Sequence, residues 1–291
     1  MVFLVSETSR AITLLSSDSK VKRKESLAAI EQDCKENIRN ASADELKSYC
    51  SLIIPHIVNL LSDPVESHRE RSLLILSKLC EYTDSSDCFI PYVTQILLKR
   101  LTVKDSREES EEIRLCSLKL LYNILLKLSN CSSCIDDYCL ILQHSLEDNF
   151  HEVKVACCDI LRILANKFSS LFYHTAEPLL KPLLKNIVHQ QHKVRLATVE
   201  AVGVVFERCN GKFVDYTVAP LTQRLFDPSV AVRKAVIQVV GEWLLNLPDR
   251  YSYHAKLIPL ILSGQIDESA EIRDEAIALW DDIGTFEFSF F

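Results

Sequence analysis

Apolar residues along this chain return every three or four positions, in runs broken by short polar joints. In the run 232–243, Val232, Ala235, Val236, Val239, Val240 and Trp243 fall at i, i+3, i+4, i+7, i+8 and i+11. That spacing paints one wide apolar stripe down an α-helix. Val153, Cys157, Ile160, Leu161 and Leu164 form a second stripe, and Val194, Ala197, Thr198, Ala201 and Val205 a third. The joints at 81–88, 129–134, 208–212 and 246–250 are polar or carry helix breakers. The long stretch 102–112, TVKDSREESEE, reads as a solvated excursion between two helices.

The helical runs repeat. In LFDPSVAVRKAV (225–236), Asp227 precedes Arg233 by six residues. Asp267 and Arg273, Asp148 and Lys154, and Asp63 and Arg69 stand in the same frame, with Arg114 and Lys24 in more degenerate copies. The basic positions Lys24, Arg69, Arg114, Lys154, Arg195, Arg233 and Arg273 recur every 38 to 45 residues, the length of a two-helix HEAT-type unit. Pro55, Pro182, Pro220 and Pro259 lie at a nearly fixed offset before each turn, where an interior proline bends the first helix. Each repeat therefore reads as helix A, a turn, then helix B. One such pair cannot bury its stripe alone, but stacked pairs share a continuous core. The predicted fold is all-α, a right-handed α-solenoid of about seven HEAT repeats. Their expected bounds are 1–40, 41–84, 85–130, 131–170, 171–210, 211–248 and 249–284, with 285–291 (TFEFSFF) as a non-repeat tail of alternating apolar character.

Composition fits a helical chain: among 291 residues there are 5 glycines and 9 prolines, too few for turn-rich β folds. A net charge of −7 argues against a general nucleic-acid binder. The longest uncharged run, 49–62, is too short to span a bilayer. The opening MVFLVSETSR lacks the basic start and long apolar core of a secretory signal, so the 11 cysteines read as reduced thiols in a cytosolic or nuclear protein.

Several constellations invite a chemical reading. His189 and His192 sit beside Lys193 and Arg195, but His189 occupies the turn slot that Asp227 and Asp267 hold elsewhere, and a metal needs further ligands at workable spacing. A capping turn residue is the simpler reading. Cys131, Cys134 and Cys139 offer half a zinc site or a redox pair; without a second C-x-x-C or a βαβ context, they read as an inter-repeat loop. Asp136–Asp137 and Asp281–Asp282 are adjacent on helices and do not face each other, so they make poor acid/base pairs. Trp243 and Trp280 fit core positions better than ligand platforms. No phosphate loop, dinucleotide fingerprint or nucleophile elbow is present, so no enzyme and no cofactor is expected.

The acidic and basic turn residues predict a ladder of charge-assisted bonds along one edge of the stack, built from Asp63, Arg69, Arg114, Asp148, Lys154, Arg195, Asp227, Arg233, Asp267 and Arg273. Read as exposed pairs they add little stability each and set register; a charge stripe for a partner is the alternative. Helical phase points Lys193, Glu200, Lys234, Gln238 and Glu242 outward from the B helices, as a candidate partner surface.

PLLKNIVHQQHKVRLATVEAVGVVF, then NGK (210–212), QRLFD (223–227), VRKAV (232–236), WLL (243–245), DRYS (249–252), KLIPLIL (256–262) and LWDDIG (279–284), resembles the HEAT-repeat dynein axonemal assembly factors in motif order and gap length. EEIRL (111–115) extends the likeness more weakly, and before about residue 110 it is mostly repeat architecture. Members of that family are considerably longer, so the resemblance implies an N-terminal portion or truncated form, expected to stop about one turn into its seventh helix B. The resemblance further implies a non-enzymatic cytoplasmic scaffold for preassembly of inner and outer axonemal dynein arms. Its implied partners are axonemal dynein intermediate or heavy chains, chaperones and other assembly factors. A general HEAT adaptor, such as a transport receptor or phosphatase scaffold, is the alternative.

Overall fold

The computed structural model describes residues 10–36, 38, 41–208 and 214–288, and these are helical with no strand among them. They fall into two compact units, 1–145 and 146–291. In the first, a short helical segment at 10–15 precedes α1 (Lys20–Glu36), α2 (Ala43–Asn59), α3 (Glu66–Tyr82), α4 (Ile90–Thr102), α5 (Glu111–Lys127) and most of α6 (Ile135–Leu146). The second holds α7 (His151–Lys167), α8 (Ser169–Thr175), α9 (Glu177–Lys185), α10 (His192–Arg208), α11 (Val214–Arg224), α12 (Val230–Asn246), α13 (His254–Gly264) and α14 (Ala270–Phe288).

The B helices are α1, α3, α5, α7, α10, α12 and α14; the first six are each 17 residues long. Within the first unit α1 packs on α3 and α3 on α5; within the second, α7 packs on α10, α10 on α12 and α12 on α14. The three apolar stripes read from sequence are buried on these faces. Close approach is explicit at Gly203, where a Cβ would lie 2.5 Å from Val239 Cγ2. Trp243, fully buried, spans the same joint: its Nε1 donates to Gly203 O at 2.9 Å and its ring meets Phe206 edge-on.

Prolines 55, 182, 220 and 259 lie inside the A helices α2, α9, α11 and α13. Ser42 caps α2 in a reciprocal box with Glu45, supplying acceptors to two otherwise orphaned N–H groups.

Three details depart from expectation. The fifth helix A is split into α8 and α9, because Pro178 opens a new helix rather than continuing the old one. The last helix B runs 19 residues, so 285–288 continue α14 and are not a separate alternating tail; residues 289–291 lie outside the described residues. Trp280 is not core: α14 packs on α12 and α13 and turns Trp280 and Ile277 away, leaving them 36% and 47% exposed.

Candidate functional site: the turns between A and B helices

The turn from helix A to helix B repeats one hydrogen-bond plan. At its first slot a side chain accepts from the backbone N–H two residues on: Asp63 from Val65 at 2.8 Å, Glu108 from Ser110 at 3.2 Å and Asp148 from Phe150 at 2.9 Å. Asp227 takes Ser229 N–H at 3.0 Å and Asp267 takes Ser269 N–H at 2.8 Å. His189 plays the same part through Nδ1, accepting from Gln191 N–H at 3.1 Å. The brace closes a local turn that would otherwise waste a donor. Burial, then the nearby Lys154 charge, lowers the His189 pKa, which favours the neutral ring that this acceptor role needs.

Six residues after the slot, an arginine at the fourth position of helix B folds back. Arg69 Nη1 donates to Asp63 O at 2.9 Å, Arg114 Nη1 to Glu108 O at 3.0 Å, Arg195 Nη1 to His189 O at 2.8 Å, Arg233 Nη1 to Asp227 O at 2.9 Å and Arg273 Nη1 to Asp267 O at 2.7 Å. In the first repeat the residue in this place is Arg23, whose Nη1 donates to Ser17 O at 2.8 Å; Lys24, one position off, is not the rung.

The other guanidinium nitrogens of Arg23, Arg69, Arg195 and Arg233 cross to the slot of the following repeat. Arg195 grips Asp227 bidentately, Nε to Oδ2 at 2.6 Å and Nη2 to Oδ1 at 2.7 Å. Arg233 does the same to Asp267 at 2.8 and 3.0 Å, and its Nη2 also reaches Glu268 Oε1 at 3.0 Å. In the first unit Arg23 Nε lies 2.6 Å from Asp63 Oδ2, and Arg69 binds both oxygens of Glu108 at 2.7 and 2.8 Å. Asp63, Glu108, Asp227 and Asp267 thus each brace their own turn and neutralise the arginine of the repeat before.

Glu108 is absent from the ladder drawn from sequence. It lies in the stretch expected to be a solvated excursion, yet it is buried, and Arg100 also binds it. The pointer was its place six residues before Arg114. The pairs are also not exposed: the side chains of Asp227 and Glu108 are 0% and 2% accessible, those of Arg195 and Arg233 10% and 6%. Burial opposes ionisation of Asp63, Glu108 and Asp227, but arginine and backbone donors outweigh it and hold these carboxyls below the ordinary range; at Asp267 the Arg233 bond is the foremost cause.

Lys154 breaks the plan. Its Nζ donates to Leu146 O at 2.7 Å and to the buried Asn186 Oδ1 at 2.9 Å, and Asn186 Nδ2 returns to Leu146 O at 2.9 Å. The slot of the following turn holds His189, so an amide replaces the carboxylate. Burial lowers the Lys154 pKa.

The proposed B-helix surface is partly cross-linked. Glu200 takes Arg162 Nη1 at 3.0 Å, Lys234 binds Glu271 at 2.5 Å and Gln238 binds Glu275 at 3.0 Å. Lys193 is exposed; Glu242 is exposed at the surface but has its pKa raised by partial burial and by Glu207. Cys131, Cys134 and Cys139 are buried, with Cys134 Sγ donating to Cys131 O at 3.4 Å. Among the described residues no group of three or more His, Cys, Asp or Glu is arranged to hold a metal ion, and no helix is long and apolar enough to cross a membrane.

Residues 14–288 match a family described as dynein axonemal assembly factor 5-like, TPR repeats. The B helices here start 38 to 46 residues apart, longer than the 34-residue TPR period and typical of HEAT and armadillo units. Solved structures agree on this fold: a designed armadillo repeat protein superposes with a TM-score of 0.58 at 19% identity, covering 79% of this chain and 99% of its own. Dynein axonemal assembly factor 5 from Xenopus laevis is 37% identical over 278 residues, and the Homo sapiens protein of the same name 35% identical over 285 residues. Each alignment takes in 95% of this chain, which spans 33% of the length of either relative. By the extent of that match, the chain belongs to the dynein axonemal assembly factor 5-like family.

Proposed function

We propose that this chain is a non-enzymatic scaffold that acts in the cytoplasm during preassembly of the inner and outer axonemal dynein arms. The observation that carries the reading is the family match over 14–288. In this reading the chain holds dynein intermediate or heavy chains, with chaperones and other assembly factors, by contact over an extended repeat surface, with no bond chemistry. The described geometry suits such work: stacked helices joined by buried charge pairs present fixed faces at regular intervals. Lys193, Glu200, Lys234, Gln238 and Glu242 are the B-helix positions assigned to the partner surface.

Depletion of the protein in a ciliated cell, followed by electron microscopy of axoneme cross-sections, tests the proposal. Loss of outer and inner arms with intact microtubule doublets is the expected result; normal arms after full depletion refute it. Restoring the cells with a chain reversed in charge at Lys193, Glu200 and Lys234 tests the surface, since arms should then stay absent while the protein remains folded.

A further inference from the structure

The turn Asp87–Phe89, which leads into α4, packs against α2 in the first compact unit. Cys50 lies in the middle of α2 with no accessible surface, and Cys88, in the turn, is half-buried. The two thiols share a hydrogen bond, which Cys50 Sγ donates to Cys88 Sγ. Anchors on both sides of Cys88 fix the turn in this place. Ser86 Oγ donates to Ile124 O at 2.6 Å, Ser129 N–H and Oγ donate to Asp87 Oδ1 at 3.3 and 3.0 Å, and the Phe89 ring is fully buried. The bond from Cys50 is the foremost reason that the Cys88 thiol titrates below its ordinary value. Its own backbone N–H and Lys47 add to that effect, against burial and Asp87. The same bond, then burial, pushes the Cys50 thiol up, and the buried thiols Cys34 and Cys80 are near enough to raise it further. One sulfur is thus activated as a nucleophile, and the other keeps its proton beside it. Among the described cysteines only Cys88 and Cys116 reach partly to the surface, and burial raises the Cys116 pKa.

We propose that Cys50 and Cys88 form an oxidant-sensitive pair, reduced at rest and joined as a reversible disulfide by hydrogen peroxide. The Cys88 thiolate attacks one peroxide oxygen and the O–O bond breaks. The departing hydroxide takes up the proton that the Cys88 thiol released and leaves as water, and Cys88 is then a sulfenic acid. The Cys50 sulfur attacks the Cys88 sulfur, the S–O bond breaks, and the second hydroxide takes the Cys50 proton and leaves as water. The two thiols thereby give two electrons to one peroxide. The new bond ties α2 to the entry of α4, two successive A helices that already pack together. A bridge that forms under oxidant and is then reduced is the kind that a reducing compartment permits. The pair stands whether or not the chain assembles dynein.

The reduced full 291-residue chain is treated with hydrogen peroxide, its remaining thiols are alkylated with iodoacetamide in urea, and unreduced tryptic peptides are mapped by mass spectrometry. The Cys50–Cys88 cross-link should be the first disulfide to appear, at least about tenfold faster than Cys116 is oxidised. Dithiothreitol should return both thiols. Cys88→Ser should abolish the cross-link with circular dichroism unchanged. Cys50→Ala should strand Cys88 as a sulfenic acid that dimedone traps, whereas the natural chain should pass through that adduct only briefly. Cys50 is buried, so if Cys50→Ala fails to fold, the peptide map of the natural chain decides alone. Oxidised Cys88 beside a fully alkylated Cys50 overturns the proposal, as does oxidation of Cys88 no faster than that of Cys116. A bridge from Cys50 to Cys34 or Cys80 in place of Cys88 also overturns it.

Discussion

Arg195 and Asp227, 32 residues apart in sequence, meet through two parallel bonds of 2.6 and 2.7 Å while the aspartate is sealed from solvent. Removing one partner strands the other: Asp227→Ala leaves the Arg195 and Arg224 guanidinium groups facing a buried void. We expect a loss of about 3–5 kcal/mol, read as a lower urea midpoint. A joint Arg195→Met, Asp227→Leu variant should recover most of it, since the cost lies in the uncompensated charge. A single-variant loss below about 1 kcal/mol would place the pair in the class of ordinary surface bridges.

The turn after Lys154 lacks its acid. His189→Asp keeps the acceptor for Gln191 N–H and adds a second carboxylate near a buried ammonium that Leu146 O and Asn186 hold and whose charge Asp148 already favours. The variant should be more stable than the natural chain by about 1–2 kcal/mol, measured by urea denaturation at neutral pH. A destabilised variant would mean that the histidine ring itself is needed as packing.

Acid sensitivity follows from the same acids. Asp63, Glu108, Asp227 and Asp267 titrate below their ordinary range when folded. Their unfolded values are about 3.9 for Asp and 4.3 for Glu. The stability they contribute is therefore complete above those values and is lost as pH falls through the lower folded ones. Buried Trp243 reports this by fluorescence: the unfolding midpoint should fall steeply with pH below about 4. Asp227→Asn, measured alongside, should show a shallower slope because one depressed carboxyl is gone.

Gly203 offers a steric test. A methyl added there meets Val239 Cγ2 at 2.5 Å, so Gly203→Ala should cost about 1–3 kcal/mol by overpacking. Adding Val239→Ala should return part of that loss. Additive losses in the double variant would show that the clash is not what Gly203 avoids.

The repeat frame could be read because an arginine or lysine stands at the fourth place of each helix B, and the sequence marks it with a recurring acid six residues earlier. It slipped in the first repeat, where KVKRK (20–24) offers several cations and the slot is Ser17, with no acid to choose among them. Glu108 was missed because a longer connection and a change from Asp to Glu disguised the slot. Burial was the larger miss: Arg and Asp in a turn read as solvated, and only the packing of adjacent turns shows Asp227 without accessible surface. Phe226 and Ile266 are the converse, apolar letters that periodicity cannot distinguish from core until the fold leaves them outside.

From slot to arginine the count is six in every repeat where the arginine folds back on the slot, as in Asp63 to Arg69 and Asp267 to Arg273. From arginine to the next slot it is 40, 39, 32 or 34. The corner is rigid in length and the span between corners is elastic. Insertions can therefore accumulate in the A helices and in the loops before them while every rung still closes. A single residue added between Asp227 and Arg233 would instead rotate Arg233 by about 100° around its helix, uncoupling two repeats at once. Such a chain can change size between its corners over evolutionary time, but not at them.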